Sequence, residues 1–375
     1  MDFSYYLPVN LLFGRGRLSE VGKNAAKYGK RALIVCGGSA VRSGTLDRLR
    51  GYLESEHIES MIFDKVTPNP LTTTAEEGAV TAKNNGCDMV IGLGGGSILD
   101  CAKAIAFLAK NDHDINDYIY NRIQGEGALP MIAIPTTCGT GSEGNSFAVL
   151  TNPENGDKKS LRRNEIIPSV SIIDSELMQT MPAKLLACVG FDALCHSMEA
   201  FLSRAGQPMT EYLAYEGMKI ITADLVNVCG GDHDDEAWDR LAWASTIGGM
   251  VINTAGVTLP HAMEHPLSGL KNITHGRGLA ALTPVITEAS AGYAPEKYAE
   301  ISKLLGGRNE KDCADAMRRF LDRIGLNVRL SEEGVTKDDI AWLTENCFKV
   351  SAVSVANHPA VFDADAIAKL YEKAL

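Results

Sequence analysis

Apolar positions in the first half of the chain fall into short runs separated by stretches of helical spacing. "RALIVCGG" reads as a buried strand ending in glycines, and "GTLDRLRGYLESEHI" behind it repeats apolar residues at helical intervals. "SMIFDKV" is a second strand. It is followed by "TTTAEEGAVTAKNNG", a helix opened by threonines and closed by Gly86. "CDMVIGLGGGS" is a third strand running into glycines, with "ILDCAKAIAFLAK" helical after it; "LPMIAIPTT" and "VSIID" make five. From about Arg31 to Asp174 this alternation predicts a parallel, doubly wound α/β sheet.

Beyond Asp174 the strand period disappears. "MPAKLLACVGFDALCHSMEAFLS" keeps one apolar face and begins with Pro182, a good first-turn residue. "MTEYLAYEGMKIITADL", "DEAWDRLAWASTIGGMVI", "APEKYAEISKLLGG", "KDCADAMRRFLDRIG" and "TKDDIAWLTENCFKV" are amphipathic helices by the same criterion. The second half is therefore expected to be all-helical. The 375-residue length suits two domains with separate cores, divided here as 1-178 and 179-375.

Composition narrows the partners. The chain is 45% apolar and carries a formal net charge of -11, so the basic footprint that holds phosphate backbones is missing. Nucleic acid and an anionic membrane are not expected partners. The start, "MDFSYYLPVNLLFG", has an acid at position 2 and no basic region before its apolar run, so it does not read as a secretion signal. No run is read as a membrane-spanning helix. Nine scattered cysteines contain no C-x-x-C pair, which indicates neither a disulfide framework nor a thiolate zinc site. A reduced, cytoplasmic protein is the expectation.

Two polar turns follow predicted strands. "VIGLGGGSILD" places Gly94, Gly95, Gly96 and Ser97 between a strand and a helix, where backbone approaches a ligand closely and helix N–H groups favour an anion. It is not G-x-G-x-x-G, because Ser97 takes the last glycine position. "IPTTCGTGSE" again follows a strand and offers Thr136, Thr137, Thr140 and Ser142 as hydroxyls for ribose or phosphate. A threonine-capped helix start needs fewer glycines and hydroxyls than these turns contain. Two such loops at strand ends point to a dinucleotide in the crevice of the sheet. The first strand ends in "VCGGSAVRSG", with Gly37, Ser39 and Arg42 but no acid to repel a 2'-phosphate. On charge, that favours NADP over NAD; a merely solvated Arg42 is the plainer reading.

The histidines raise a separate question. Four of the eight, His196, His261, His265 and His275, lie between residues 196 and 275. On helices, Asp192 and His196 in "FDALCH" face one way, and so do His261 and His265. A carboxylate with imidazoles and no thiolate suits Fe(II), Zn(II) or Mn(II). A lone histidine is more often a satisfied core residue; the clustering is what favours ligation. "HAMEH" also matches H-x-x-E-H, the inverted zinc peptidase pattern in which Glu264 would activate water. That reading explains neither glycine loop and leaves Asp192 and His196 idle, so Glu264 is expected to be either a structural acid or one that supports the ligands from behind.

"GLGGGSILDCAKAIA", "IPTTCGTGSE", "VGFDALCHSMEAF" and "HAMEHPLSGLKNITHG", in that order, resemble the iron-containing (group III) alcohol dehydrogenase family over almost the whole chain. The resemblance implies a dehydroquinate synthase-like fold. Its α/β dinucleotide-binding domain would be 1-178 and its all-helical metal-binding domain 179-375, with the site in the cleft between them. It implies Asp192, His196, His261 and His275 as metal ligands, for Fe2+ with Zn2+, Mn2+ or Ni2+ as substitutes. His265 matches the family's further histidine near the nicotinamide, with a proton relay and a structural role both open. Gly94 to Ser97 match the pyrophosphate loop, Thr136, Thr137 and Thr140 the nicotinamide side, and Asn69 the adenosine side. Val149 and Lys158 match other cofactor-contact positions. At Gly37 the chain departs from NAD-preferring members, which carry aspartate; "GGSAVRSG" looks like the loop of NADP-using aldehyde reductases in the family.

The implied activity is hydride transfer between a nicotinamide and a small alcohol or aldehyde, by a homodimer or larger homo-oligomer. Two relatives of the same fold compete with it, a glycerol-dehydrogenase-like zinc enzyme and a dehydroquinate-synthase-like lyase. The lyase needs a site rich in lysine and arginine, whereas residues 256 to 276 supply only Lys271, with Arg277 just beyond.

Overall fold

The computed structural model describes residues 2–232 and 234–375. The chain forms two compact units, one spanning Leu7–Thr180 and the other joining the amino-terminal residues up to Tyr6 with Met181–Leu375.

The first unit is built on eight strands: β1 (Asn10–Phe13), β2 (Arg31–Cys36), β3 (Glu59–Phe63), β4 (Met89–Gly94), β5 (Met131–Pro135), β6 (Phe147–Thr151), β7 (Lys158–Arg162) and β8 (Val170–Ile173). Six form a parallel sheet in the order β1-β8-β5-β4-β2-β3. Its helices are α1 (Val21–Ala25), α2 (Gly38–Arg42), α3 (Thr45–Ser55), α4 (Thr72–Asn84), α5 (Gly96–Leu108) and α6 (Ile115–Ile119). Alternate residues of β2 feed different cores, Leu33 and Val35 on one face and Ala32 and Ile34 on the other. That two-sided burial makes the strands read as continuous apolar runs.

The strand order places the switch point between β2 and β4, because β3 lies beyond β2 while β4 and β5 build the other way. In a doubly wound sheet, ligands bind outside the carboxyl ends of strands at such a point. The register pairs Cys36 with Leu93 and Gly94 with Pro135, so β2, β4 and β5 end side by side. The three loops singled out in the sequence all leave from these ends.

Two features of the strands differ from the sequence expectation. The sheet has a sixth strand, β1, which pairs with β8. β6 and β7 form a separate antiparallel pair, with Val149 opposite Ser160. β7 is "KKSLR", whose polar character hides strand periodicity, and β1 is only four residues long.

The second unit is helical: α7 (Ala183–Leu202), α8 (Pro208–Cys229), α9 (Asp235–Ala255), α10 (Leu259–Lys271), α11 (His275–Ser290), α12 (Pro295–Leu304), α13 (Cys313–Arg323), α14 (Ile340–Asn357) and α15 (Ala364–Ala374). Pro182 is the N-cap of α7, with φ -60° and ψ 142°, one position outside the expected first turn. The core of α10, α11, α14 and α15 includes Leu259, Met263, Leu282, Leu343 and Tyr371. The Tyr371 hydroxyl donates to the Met263 carbonyl at 2.6 Å, which satisfies a polar group that burial would otherwise penalise. Among the described residues, α7 is long and apolar enough to cross a membrane, which the sequence reading had not expected of any segment. However, 83% of its apolar window is buried inside the protein, as befits a core helix.

Candidate metal centre and dinucleotide loops

Three helices of the second unit bring the histidines together. Asp192 and His196 lie one turn apart on α7, His261 and His265 one turn apart on α10, and His275 is the first residue of α11. Close helix approach depends on residues without side chains. A Cβ on Gly276 would sit 2.3 Å from the Cys188 carbonyl oxygen, and one on Gly248 would sit 3.2 Å from the Cβ of His196.

Three imidazole nitrogens surround one carboxylate oxygen. Nε2 of His261, His275 and His196 lie 3.3, 3.5 and 3.6 Å from Oδ1 of Asp192. The candidate ligand atoms of Asp192, His261 and His275 all lie within 4.8 Å of one another. His196 stands slightly apart from that trio, its ring stacked on His261 with centroids 4.6 Å apart. Asp192, His196 and His261 are buried, and His275 is half-buried. The half-buried His265 lies against the cluster, its ring centroid 6.1 Å from that of His261 and 6.0 Å from that of His275.

Burial sets the electrostatics. It pushes His196 down to about 4. His261 feels the same burial, but the Glu199 and Asp192 carboxylates outweigh it and hold the ring up to about 10. Burial also opposes the Asp192 carboxylate, yet His196, His275 and His261 hold its carboxyl well below the usual range. The two stacked rings therefore move in opposite directions, His196 because burial dominates and His261 because two carboxylates face it.

A divalent ion resolves this arrangement. Oδ1 of Asp192 and Nε2 of His261 are buried and make no hydrogen bond of normal geometry. Donor atoms about 2.1 Å from one ion at tetrahedral angles lie about 3.4 Å apart. The observed 3.3, 3.5 and 3.6 Å separations match that spacing. Three imidazoles and one carboxylate form a donor set for iron, zinc, manganese or nickel rather than for calcium or magnesium. The residues present therefore fit the ion.

Two buried acids stand behind the rings. Oε1 of Glu199, on α7, is 2.5 Å from Nδ1 of His261. Its Oε2 accepts the backbone N–H of Thr258, the N-cap of α10, at 2.7 Å. Glu264, on α10, pairs with Nδ1 of His275 and accepts the Ser268 hydroxyl. Of the two roles open to Glu264 in the sequence, its place behind His275 is that of an acid supporting a ligand, whereas the sequence reading does not single out Glu199. The signal for Glu199 was there: it lies seven residues after Asp192 on an apolar helix, an acid on the same face.

In the first unit the two polar turns pack against each other. β4 ends at Gly94 and Gly95 is the N-cap of α5, with no side chain capping that helix start. A Cβ on Gly95 would sit 3.1 Å from Thr137 Oγ1, and one on Gly96 would sit 2.3 Å from Thr140 Cγ2. The Thr136 N–H donates to the Gly94 carbonyl at 3.0 Å. Ser97 is on the first turn of α5, whose free N–H groups suit an anion.

Asp100 and Lys103, which sequence reading did not single out, fasten α5 to the second turn. Asp100 accepts the Ser142 hydroxyl at 2.6 Å and the Val149 N–H at 3.0 Å. The buried Lys103 ammonium donates to the Asn145 carbonyl and side chain and to the Phe147 carbonyl, at 2.8 to 2.9 Å. Burial pushes Lys103 down to about 8, though Asp100 and Glu143 oppose this. Lys158 donates to Asn69 Oδ1 at 3.0 Å, joining two residues expected to touch a cofactor. Asn69 sits at φ 51°, a left-handed position that asparagine tolerates. At the end of β2, Gly37 is the N-cap of α2, and Ser39 and Arg42 on that helix are exposed.

Residues 8–175 match the family model "Iron-containing alcohol dehydrogenase", and residues 186–375 match that of the "Fe-containing alcohol dehydrogenase family, C-terminal". The chain is 34% identical to a 1,3-propanediol dehydrogenase of Klebsiella pneumoniae, covering 92% of each chain. It is 32% identical to an NAD-dependent methanol dehydrogenase of Bacillus methanolicus, over 99% of this chain and all of the relative. An archaeal halo-thermophilic alcohol dehydrogenase from a Red Sea brine pool superposes with a TM-score of 0.94 at 31% identity, over 100% of this chain and 99% of that one. The chain belongs to the iron-containing alcohol dehydrogenase family and is an oxidoreductase of that class.

Proposed function

We propose that this chain interconverts small alcohols and aldehydes with a nicotinamide cofactor, using a divalent ion, iron by preference, held by Asp192, His196, His261 and His275. The observation that carries this reading is the ring of three imidazole nitrogens 3.3 to 3.6 Å from one buried carboxylate oxygen. When bound, the ion supplies Lewis acidity that lowers the pKa of an alcohol or polarises an aldehyde, and the nicotinamide gives or takes the hydride.

The chain's own residues do the positioning. Gly94, Gly95, Gly96 and Ser97 offer backbone N–H groups to the pyrophosphate, and Thr136, Thr137 and Thr140 line the same turn from the other side. Val149, Asn69 and Lys158 are proposed cofactor contacts; a hydrogen bond ties Val149 N–H to Asp100 and another ties Lys158 to Asn69, which supports a preset site. His265, half-buried beside two of the imidazoles, is proposed to carry the alcohol proton on a ring nitrogen.

We also propose a preference for NADP over NAD, supported by Gly37 at the end of β2 with Ser39 and Arg42 exposed on a helix that bears no acid. A homodimer or larger homo-oligomer is proposed as well. It is supported by β1, an edge strand whose outer backbone no other strand of the sheet pairs.

The test is reconstitution of chelated protein with Fe(II) or Zn(II), followed by NADPH or NADH and a series of short aldehydes, read by nicotinamide absorbance. Turnover that needs the ion is expected, with NADPH the better reductant. Ion-independent turnover would overturn the metal assignment, and equal use of NADH would overturn the cofactor preference. Gly37→Asp is expected to move the preference toward NADH by charge repulsion of the 2'-phosphate.

A further inference from the structure

Each of two candidate metal ligands has its second ring nitrogen in front of a fully buried carboxylate. Glu199 and Glu264 are both 0% exposed. Glu199 meets Nδ1 of His261 in a hydrogen bond, and Glu264 is in ion-pair contact with Nδ1 of His275. The opposite nitrogen, Nε2, is the one turned toward Asp192 in both rings. An imidazole that ligates through Nε2 must keep its proton on Nδ1, and an acceptor at Nδ1 holds it there.

We propose that Glu199 and Glu264 are positioning residues that keep a proton on Nδ1 of His261 and His275 and fix their ring angles, so that Nε2 is the nitrogen each ring gives up to the ion. This rests on the metal assignment above and adds to it which residues make the site tight. The two acids act from different anchors. Glu199 Oε2 also holds the Thr258 N–H at 2.7 Å and the Thr258 hydroxyl at 3.4 Å, so the start of α10 and the angle of His261 are set by one carboxylate from α7. Thr258 Oγ1 in turn lies 3.3 Å from Nδ1 of the buried His358, whose Nε2 is 2.8 Å from Ser290 Oγ on α11. Glu264 is steadied by Ser268, one turn along the same helix. It also lies against Gly278 of α11, where a Cβ would stand 2.8 Å from Glu264 Cγ. Any side chain at 278 would displace the acid.

Loss of such an acid typically weakens metal binding about 10- to 100-fold. The experiment measures Zn(II) affinity by competition with a fluorescent chelator for the wild-type protein, Glu199→Gln, Glu264→Gln and Asp192→Ala. The apoproteins are compared in parallel by circular dichroism and thermal melting. Wild-type protein should bind one equivalent of Zn(II) and Asp192→Ala should lose it. Each Gln variant should bind about 10- to 100-fold more weakly, and Glu264→Gln apoprotein should melt as wild type does. Gln variants that bind Zn(II) as tightly as wild type would overturn the inference and leave the metal assignment standing. Wild-type protein without a Zn(II) site would overturn both.

Spectra of the zinc-loaded wild-type protein with 15N-labelled histidine give a readout that does not depend on a variant folding. His261 and His275 should each show a protonated Nδ1 and a ligated Nε2. Ligation through Nδ1 in either ring would overturn the inference.

Discussion

Gly96 offers the sharpest perturbation of the dinucleotide loops. In Gly96→Ala the new methyl would fall 2.3 Å from Thr140 Cγ2 and 2.7 Å from Thr140 Oγ1. Contacts that short cannot persist, so the two turns must separate. Overpacking of this kind costs about 1–3 kcal/mol, while alanine in place of glycine in a helix returns at most about 1 kcal/mol. With the clash at the upper end of its range, steric cost wins by about 2 kcal/mol. If that strain falls on the cofactor site, the dissociation constant for NADPH rises roughly thirtyfold. Fluorescence titration measures it directly. Thr140→Ser removes Cγ2 and leaves a smaller side chain whose hydroxyl turns away at the cost of only the long 3.3 Å bond it accepts from the Ser142 N–H, so the double variant should recover most of the lost affinity. A Gly96→Ala protein that binds NADPH like wild type, or a double variant no better than the single, would refute the reasoning.

Further outcomes follow from other contacts. His261→Ala should abolish metal retention, measured by elemental analysis, while NADPH binding by fluorescence stays within twofold of wild type. Phe107 is fully buried in the first core and meets Tyr118 edge-on at 4.9 Å; Phe107→Ala should cost about 3–5 kcal/mol in urea unfolding. Burial of His358 pushes it down to about 4 from an ordinary 6.5, so the unfolded chain binds the extra proton. Stability is then full above pH 6.5 and falls as pH drops from 6.5 toward 4, by about 3 kcal/mol in all. Urea unfolding at several pH values should show that slope, and His358→Gln should flatten it.

The α/β fold was legible because both faces of its sheet are buried. Strands such as Arg31–Cys36 and Met89–Gly94 write that burial as unbroken apolar runs. β7 was not legible, because a strand in a two-stranded pair has Lys158, Lys159 and Arg162 where a central strand has valine and leucine. The apolar length of α7 was not legible, because Asp192, His196 and Glu199 break its run into shorter apolar pieces, although the whole helix is long and apolar enough to cross a membrane. Asp192 and the histidines stood out by residue type and clustering. Asp100 and Lys103 did not, since a single acid or lysine on a helix looks like surface until tertiary packing covers it, whereas Glu199 was legible only through its seven-residue spacing from Asp192 on an apolar helix. Lys103 is fully buried, and only the fold reveals that three carbonyl groups meet its ammonium. The resemblance to the family supplied residue assignments at Asn69 and Lys158 that no periodicity contains, and the fold brings those two side chains to 3.0 Å from each other.

X-ray absorption at the zinc edge, on protein reloaded with one equivalent of Zn(II), tests the central claim most directly. The account predicts a first shell of nitrogen and oxygen at about 2.0–2.1 Å, with the multiple-scattering signature of three imidazoles and no sulfur. A sulfur shell at about 2.3 Å, or fewer than two imidazoles, would contradict it.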